Sequence, residues 1–174
     1  MGQKKPTAKV KQVRIIDSSL IIEADRLHLT KRLSNYLSRS RIQTIVPTKV
    51  KQETVDGPRA IPQYSKSANR IDTMIFRTNV VLVEAPDYRA GSTCRLTDRV
   101  RVCIANKSGK PVHLVERADL EFVTLALNHM DRNEKVELVF RDNALDTCIK
   151  TVLRSYRFTD KLTITHVSAH IARL

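Results

Sequence analysis

Between Val136 and Tyr156 the hydrophobic period changes within a few residues, and that change limits the fold more than any other feature of the chain. Val136, Leu138 and Phe140 recur at every second position, the spacing of a half-buried strand. Behind the possible cap Asn143, the residues Ala144, Leu145, Cys148, Ile149, Val152, Leu153 and Tyr156 then sit at 0, 1, 4, 5, 8, 9 and 12, which is helical spacing. A strand that runs straight into an amphipathic helix must bury both apolar faces together, so strands and helices share one core.

The remaining segments are read in the same way. Val13 to Glu23 places apolar residues on either side of Asp17-Ser18-Ser19 and predicts a hairpin or broken strand. Asp25 offers an N-cap to a helix over 26–40 with Leu29, Leu33, Tyr36 and Leu37 on one stripe. Met74 to Glu84 and Arg95 to Ala105 read as strands, the second with Val100, Val102 and Ile104 on one face. Ala118 to Met130 suits a helix, with a strand as the alternative, and Leu162 to Ile171 alternates as a closing strand. The expected fold is therefore α+β: a disordered basic arm over 1–12, a strand-helix unit over 13–43, a linker over 44–69 containing Pro47, Gly57-Pro58 and Pro62, and a core domain over 70–174. In that core a small mixed sheet carries two packed helices.

Charge is distributed unevenly. Residues 1 to 70 carry 15 Lys+Arg against 5 Asp+Glu, whereas residues 71 to 174 carry 16 against 13, within a net charge of +13. A basic segment beside a nearly neutral body suits a polyanion ligand. Lys4, Lys5, Lys9, Lys11, Arg14, Lys31, Arg32, Arg39 and Arg41 are the candidate nucleic-acid or anion-binding residues, with Arg32, Asn35 and Arg39 on one helix stripe. Tyr36 and Tyr64 are the only aromatics before Phe76, so such binding should follow charge rather than base identity.

No catalytic or metal signature stands out. Lys107-Ser108-Gly109-Lys110-Pro111 lacks the spacing of a phosphate loop and reads as a turn. His166 and His170, at i and i+4 on a strand, lie about 13 Å apart, too far to share a metal. Glu116, Asp119, Glu121, Asp131 and Glu134 crowd the 118–130 helix, where a solvated face explains them without chemistry. Pro6 stands where a myristoylation signal beginning at Gly2 wants Ser or Thr. Cys94, Cys103 and Cys148 form neither a disulfide framework nor a C-x-x-C site and are expected as buried thiols in a reducing compartment. These readings predict a non-enzymatic protein with no cofactor.

The run Arg99 to Asp131, RVRVCIANKSGKPVHLVERADLEFVTLALNHMD, resembles the opening of the matrix-protein core of rhabdoviruses: an alternating strand, a basic turn with Pro, then an apolar helix. That resemblance implies a viral structural protein of matrix type, self-associating into homo-oligomers, binding ribonucleoprotein and the acidic inner membrane surface. It would reside in the virion and host cytoplasm, with the nucleus or inner membrane surface as further sites. A small viral coat or movement protein with an RNA-binding arm, or a cellular RNA-binding protein, would match the same basic segment.

Overall fold

A computed structural model describes residues 11–89, 91–153 and 160–174. Lys4, Lys5 and Lys9 of the basic segment, and Tyr156 of the last helical stripe, lie outside them.

Five strands form one sheet, every pairing parallel, in the order β3-β2-β1-β4-β5: β1 (Gln12–Ile16), β2 (Gln43–Pro47), β3 (Leu82–Glu84), β4 (Lys135–Phe140) and β5 (Leu162–His166). Parallel strands need crossovers, and helices supply them. α1 (Ser18–Arg26) and α2 (Thr30–Arg39) link β1 to β2. α3 (Thr48–Lys51), a π-helical turn over Gln52–Asp56, α4 (Gly57–Arg59), α5 (Pro62–Ile71) and a second π turn over Asp72–Phe76 lead to β3. α6 (Gly91–Ser108) and α7 (Arg117–Asp131) lead to β4, α8 (Asn143–Leu153) follows it, and α9 (Val167–Ile171) follows β5.

The sheet is buried on both faces, and the alternation of its central strands decides which residue goes where. Val13, Ile15, Val136, Leu138 and Phe140 face α6, α7 and α8, where Phe122 meets Phe140 edge to face at 5.5 Å. Ile16 and Val139 turn to the opposite cluster, with Leu20, Ile21 and Ala24 of α1, Leu33 and Leu37 of α2, Ile71 and Val167. This is a three-layer α/β architecture, and it replaces the expected α+β fold with its small mixed sheet.

Several local expectations change for identifiable reasons. Asp17-Ser18-Ser19 is no hairpin turn: Asp17 is the N-cap of α1, in extended conformation, and accepts a bond from the Ser19 N–H. Arg95 to Ala105 is helical, because Leu96, Val100 and Ile104 repeat at i, i+4 and i+8 and are buried, while Val102 is 45% exposed. The 44–69 stretch holds β2, α3, α4 and most of α5, with Val46, Val50, Val55 and Ala68 buried. Of Met74 to Glu84 only Leu82–Glu84 is strand, and the closing strand stops at His166. The helix over Ala118 to Met130 and the strand over Val136 to Phe140 stand as α7 and β4. Cys103 and Cys148 are joined in a disulfide between α6 and α8, which corrects the expectation of free thiols for this pair. Among the described residues no helix is long and apolar enough to cross a membrane.

Candidate active site

In a sheet ordered 3-2-1-4-5 the chain leaves β1 toward β2 on one side, while β4 and β5 lie on the other. The crossovers therefore diverge between β1 and β4, and a crevice opens beyond the carboxyl ends of those two strands. Asp17 immediately follows β1, and Asp142 lies two residues beyond β4. Asp119, in the first turn of α7, and Glu53, in the π turn after α3, complete a ring of acids from four separate elements around a cleft of about 340 Å³. Glu116, just ahead of α7, joins them, and Ser108, Lys110 and Arg141 also line the cleft.

Two of these carboxylates are held by the helices they begin. Asp17 donates its backbone N–H to the Val139 carbonyl (3.0 Å) and accepts from the Ser19 N–H (3.4 Å), Ser19 Oγ (2.8 Å) and Ser18 Oγ (3.3 Å). Asp142 Oδ1 accepts from the Leu145 N–H (2.8 Å) at the start of α8. Both geometries follow from an Asp placed where a strand ends and a helix begins.

The acids feel one another. Burial, followed by the charges of Asp17, Glu116, Asp142 and Glu53, pushes the Asp119 carboxyl up to about 7. Glu53 is raised by burial first and by Asp17 second, against a hydrogen bond from Ser18 and the charge of Lys49. A strongly basic protein thus gathers like-charged carboxylates in one crevice, an arrangement that opposes its own stability and is typical of a functional site. Among the described residues no three His, Cys, Asp or Glu side chains stand within ligating reach of one ion. By donor type and charge the all-oxygen set fits a hard divalent cation, and binding would require the carboxylates to close on it.

The residues singled out by charge lie elsewhere. Lys11 is exposed and pairs with Glu134 at 3.3 Å, and Arg14 is 4% exposed, its Nε bound to Glu137 at 2.7 Å. Lys31 is exposed on α2, Arg41 lines a hollow between α2 and β2, and Arg32 and Arg39 line a pocket with Tyr36 and Arg173. None of these described residues lines the carboxylate cleft. Of the acids noted along α7, Glu116 and Asp119 do. Glu121 instead accepts from the Lys49 N–H and Arg117, Asp131 from Thr93, and Glu134 pairs with His129. Asp17, Glu53 and Asp142 escaped the sequence reading. A usable signal existed for two of them: an apolar strand running into Asp and then into a helix, as in Ile15-Ile16-Asp17-Ser18 and Val139-Phe140-Arg141-Asp142-Asn143.

Comparison with solved structures supports the fold. VapBC-1 from nontypeable Haemophilus influenzae aligns with a TM-score of 0.56 at 14% identity, covering 90% of this chain and 99% of the other. VapBC2 from Rickettsia felis bound to a DNA fragment from their promoter aligns with a TM-score of 0.52 at 13% identity, covering 89% and 98%. No curated protein matches. A family model described as the halobacterial PIN domain matches residues 10–174.

That match overturns the resemblance to rhabdovirus matrix proteins and, with it, the viral structural role, the virion as location, and ribonucleoprotein, acidic membrane and self-association as the partner set. The coat, movement and cellular RNA-binding alternatives fall on the same ground. The expectation of a non-enzymatic chain fails too, since it rested on the absence of convergent carboxylates, which the cleft supplies. The 33-residue resemblance misled because its supposed alternating strand is the helix α6. With its family model spanning residues 10–174, the chain belongs to the halobacterial PIN domain family.

Proposed function

We propose that the protein is a metal-dependent nuclease that hydrolyses phosphodiester bonds of RNA. The observation that carries this reading is the convergence of Asp17, Glu53, Asp119 and Asp142 on one cleft at the switch point of a parallel sheet. PIN domains of the VapC type are typically ribonucleases, which favours RNA as the substrate class.

Asp17, Glu53, Asp119 and Asp142, with Glu116 beside them, are the residues that would hold a divalent cation. Such an ion, when bound, polarises a phosphoryl oxygen and lowers the pKa of an attacking water. The chain's own groups do the rest. Lys110 and Arg141 face the same cleft as the acids, so an incoming phosphodiester meets positive charge beside the carboxylates instead of uniform repulsion. Ser18, Ser19 and the Leu145 N–H fix the orientation of Asp17 and Asp142, sparing the site the entropy of ordering them. Burial and its acidic neighbours raise the Asp119 carboxyl to about 7, and a cation bound among these carboxylates would favour its charged form.

The test is cleavage of an end-labelled single-stranded RNA by the full chain with Mg²⁺ or Mn²⁺. Cleavage that stops with EDTA and in Asp17→Asn and Asp142→Asn, both still folded by circular dichroism, supports the reading. Intact RNA under every cation condition, or Asp17→Asn cutting at the wild-type rate, refutes it.

A further inference from the structure

We infer that a second ligand site lies on α2 and the end of the chain, apart from the carboxylate cleft, and that it takes a phosphate group. Its walls are Arg32, Asn35, Tyr36 and Arg39 of α2 with Arg173, around a pocket of about 410 Å³. Helical spacing produces this lining, since positions 32, 35, 36 and 39 fall on one side of α2 while Leu33 and Leu37 are buried in the core. Among the described residues the pocket has no acidic side chain in its lining and shares none with the carboxylate cleft.

Three guanidiniums line this hollow, and among the described residues none of them is ion-paired. The one hydrogen bond they make there runs from Arg32 Nη1 to the Leu174 backbone oxygen, at 3.3 Å. Several arginines elsewhere bind carboxylates: Arg70 binds Asp25, Arg59 and Arg77 bind Asp72, and Arg117 binds Glu121. Guanidiniums that line one hollow can bind an anion with several oxygens through forked N–H···O bonds.

The pocket's wall is fixed as well as charged. The Tyr36 hydroxyl bonds His170 Nδ1 at 3.2 Å, the two rings meet edge to face at 5.8 Å, and the Arg14 guanidinium lies 5.5 Å from the Tyr36 ring centre. His170, fully buried, bonds Glu137 through Nε2 at 3.2 Å, and Glu137 also holds Arg14. Tyr36 is therefore anchored from below by a buried polar chain, and Arg32 and Arg39 flank it one helical turn away on either side. A rigid aromatic between two arginines suits a phosphate carried by a nucleotide or by a nucleic-acid strand. Both sources share the same chemistry.

The experiment measures binding of the full chain to three probes by calorimetry: inorganic phosphate, a mononucleotide and a single-stranded RNA. The Asp17→Asn background keeps the strand intact. Wild-type sites and an Arg32→Glu/Arg39→Glu pair are compared, with Lys31→Glu/Arg41→Glu as a control of equal charge change outside the pocket. The Arg pair should weaken binding by about tenfold to a hundredfold while the control changes it much less. A milder Arg39→Gln variant, checked for native circular dichroism, should weaken it in the same direction. Loss for phosphate and mononucleotide assigns a small-ligand site, and loss for RNA alone assigns a strand grip. Equal loss in the pocket pair and the control, or no effect on any probe, overturns the proposal. Because the readout is binding, this outcome is independent of whether the carboxylate cleft cuts RNA.

Discussion

Replacing Glu137 by Gln should cost about 3 kcal/mol of stability at pH 7. Glu137 faces Arg14 across adjacent strands, residue against residue, and accepts from Arg14 Nε at 2.7 Å, His170 Nε2 at 3.2 Å and Thr165 Oγ1 at 3.1 Å. Although burial opposes its charge, the bonds from His170 and Arg14 outweigh it and hold the carboxyl at about 2, against an ordinary 4.5. That displacement corresponds to roughly 3 kcal/mol, and breaking one side of a buried pair costs about 3–5 kcal/mol in general. Glu137 keeps 11% of its side chain exposed, so the lower figure is expected. The variant would leave the Arg14 guanidinium buried, with Nη1 already lacking a partner. A carboxyl depressed by folding stabilises fully above its unfolded pKa and loses that contribution as pH falls toward the folded value. The gap between wild type and Glu137→Gln should therefore shrink to about half or less by pH 3. Urea melts at pH 7 and pH 3 measure both quantities. A paired Arg14→Leu/Glu137→Leu variant should lose less than Glu137→Gln alone, since no charge is stranded. A cost below about 1 kcal/mol at pH 7, or a gap that stays constant with pH, would refute the reasoning.

Two further outcomes concern α8. Ile149 is fully buried, so Ile149→Ala should cost about 2–5 kcal/mol, whereas Lys150→Ala removes only an exposed pair with Asp146 and should cost less than about 0.5 kcal/mol; equal denaturation midpoints would contradict the packing. The Cys103–Cys148 disulfide spans a sequence separation of 45, so Cys103→Ser/Cys148→Ser should lose up to about 4 kcal/mol, and adding dithiothreitol should lower the wild-type melting temperature but not that of the variant.

How much the sequence revealed depended on whether one segment held the whole signal. The α8 stripe did, because its apolar positions from Ala144 to Leu153 satisfy helical spacing and no strand pattern. In α6 the signal was degenerate: Val100 and Ile104 fit both alternation and the i, i+4 repeat, and only the burial of Leu96 and the exposure of Val102 separate the two. Asp17-Ser18-Ser19 was degenerate chemically, since the side-chain bonds that stabilise a turn are the same ones that cap a helix. The alternation that began in β5 carried on through α9, where His170 turns inward to Glu137. The convergence of the cleft's carboxylates was hidden for a simpler reason. Asp17, Glu53, Asp119 and Asp142 each stand in a different segment, and only the parallel order of the sheet brings them together.

That order bears on when the protein can first act as it leaves the ribosome. β1 is the earliest strand of the sheet, yet one of its two partners is β4, and Arg14 waits for Glu137, 123 residues further along. At about 5–20 residues per second, that interval is roughly 6–25 s of synthesis. Throughout it the crevice lacks Asp142, and a nascent chain cut short before β4 holds an unfinished sheet with half of its switch point missing. Translation arrest or proteolysis during those seconds would yield fragments without a complete acidic ring, so the ring exists only in chains made past Asp142.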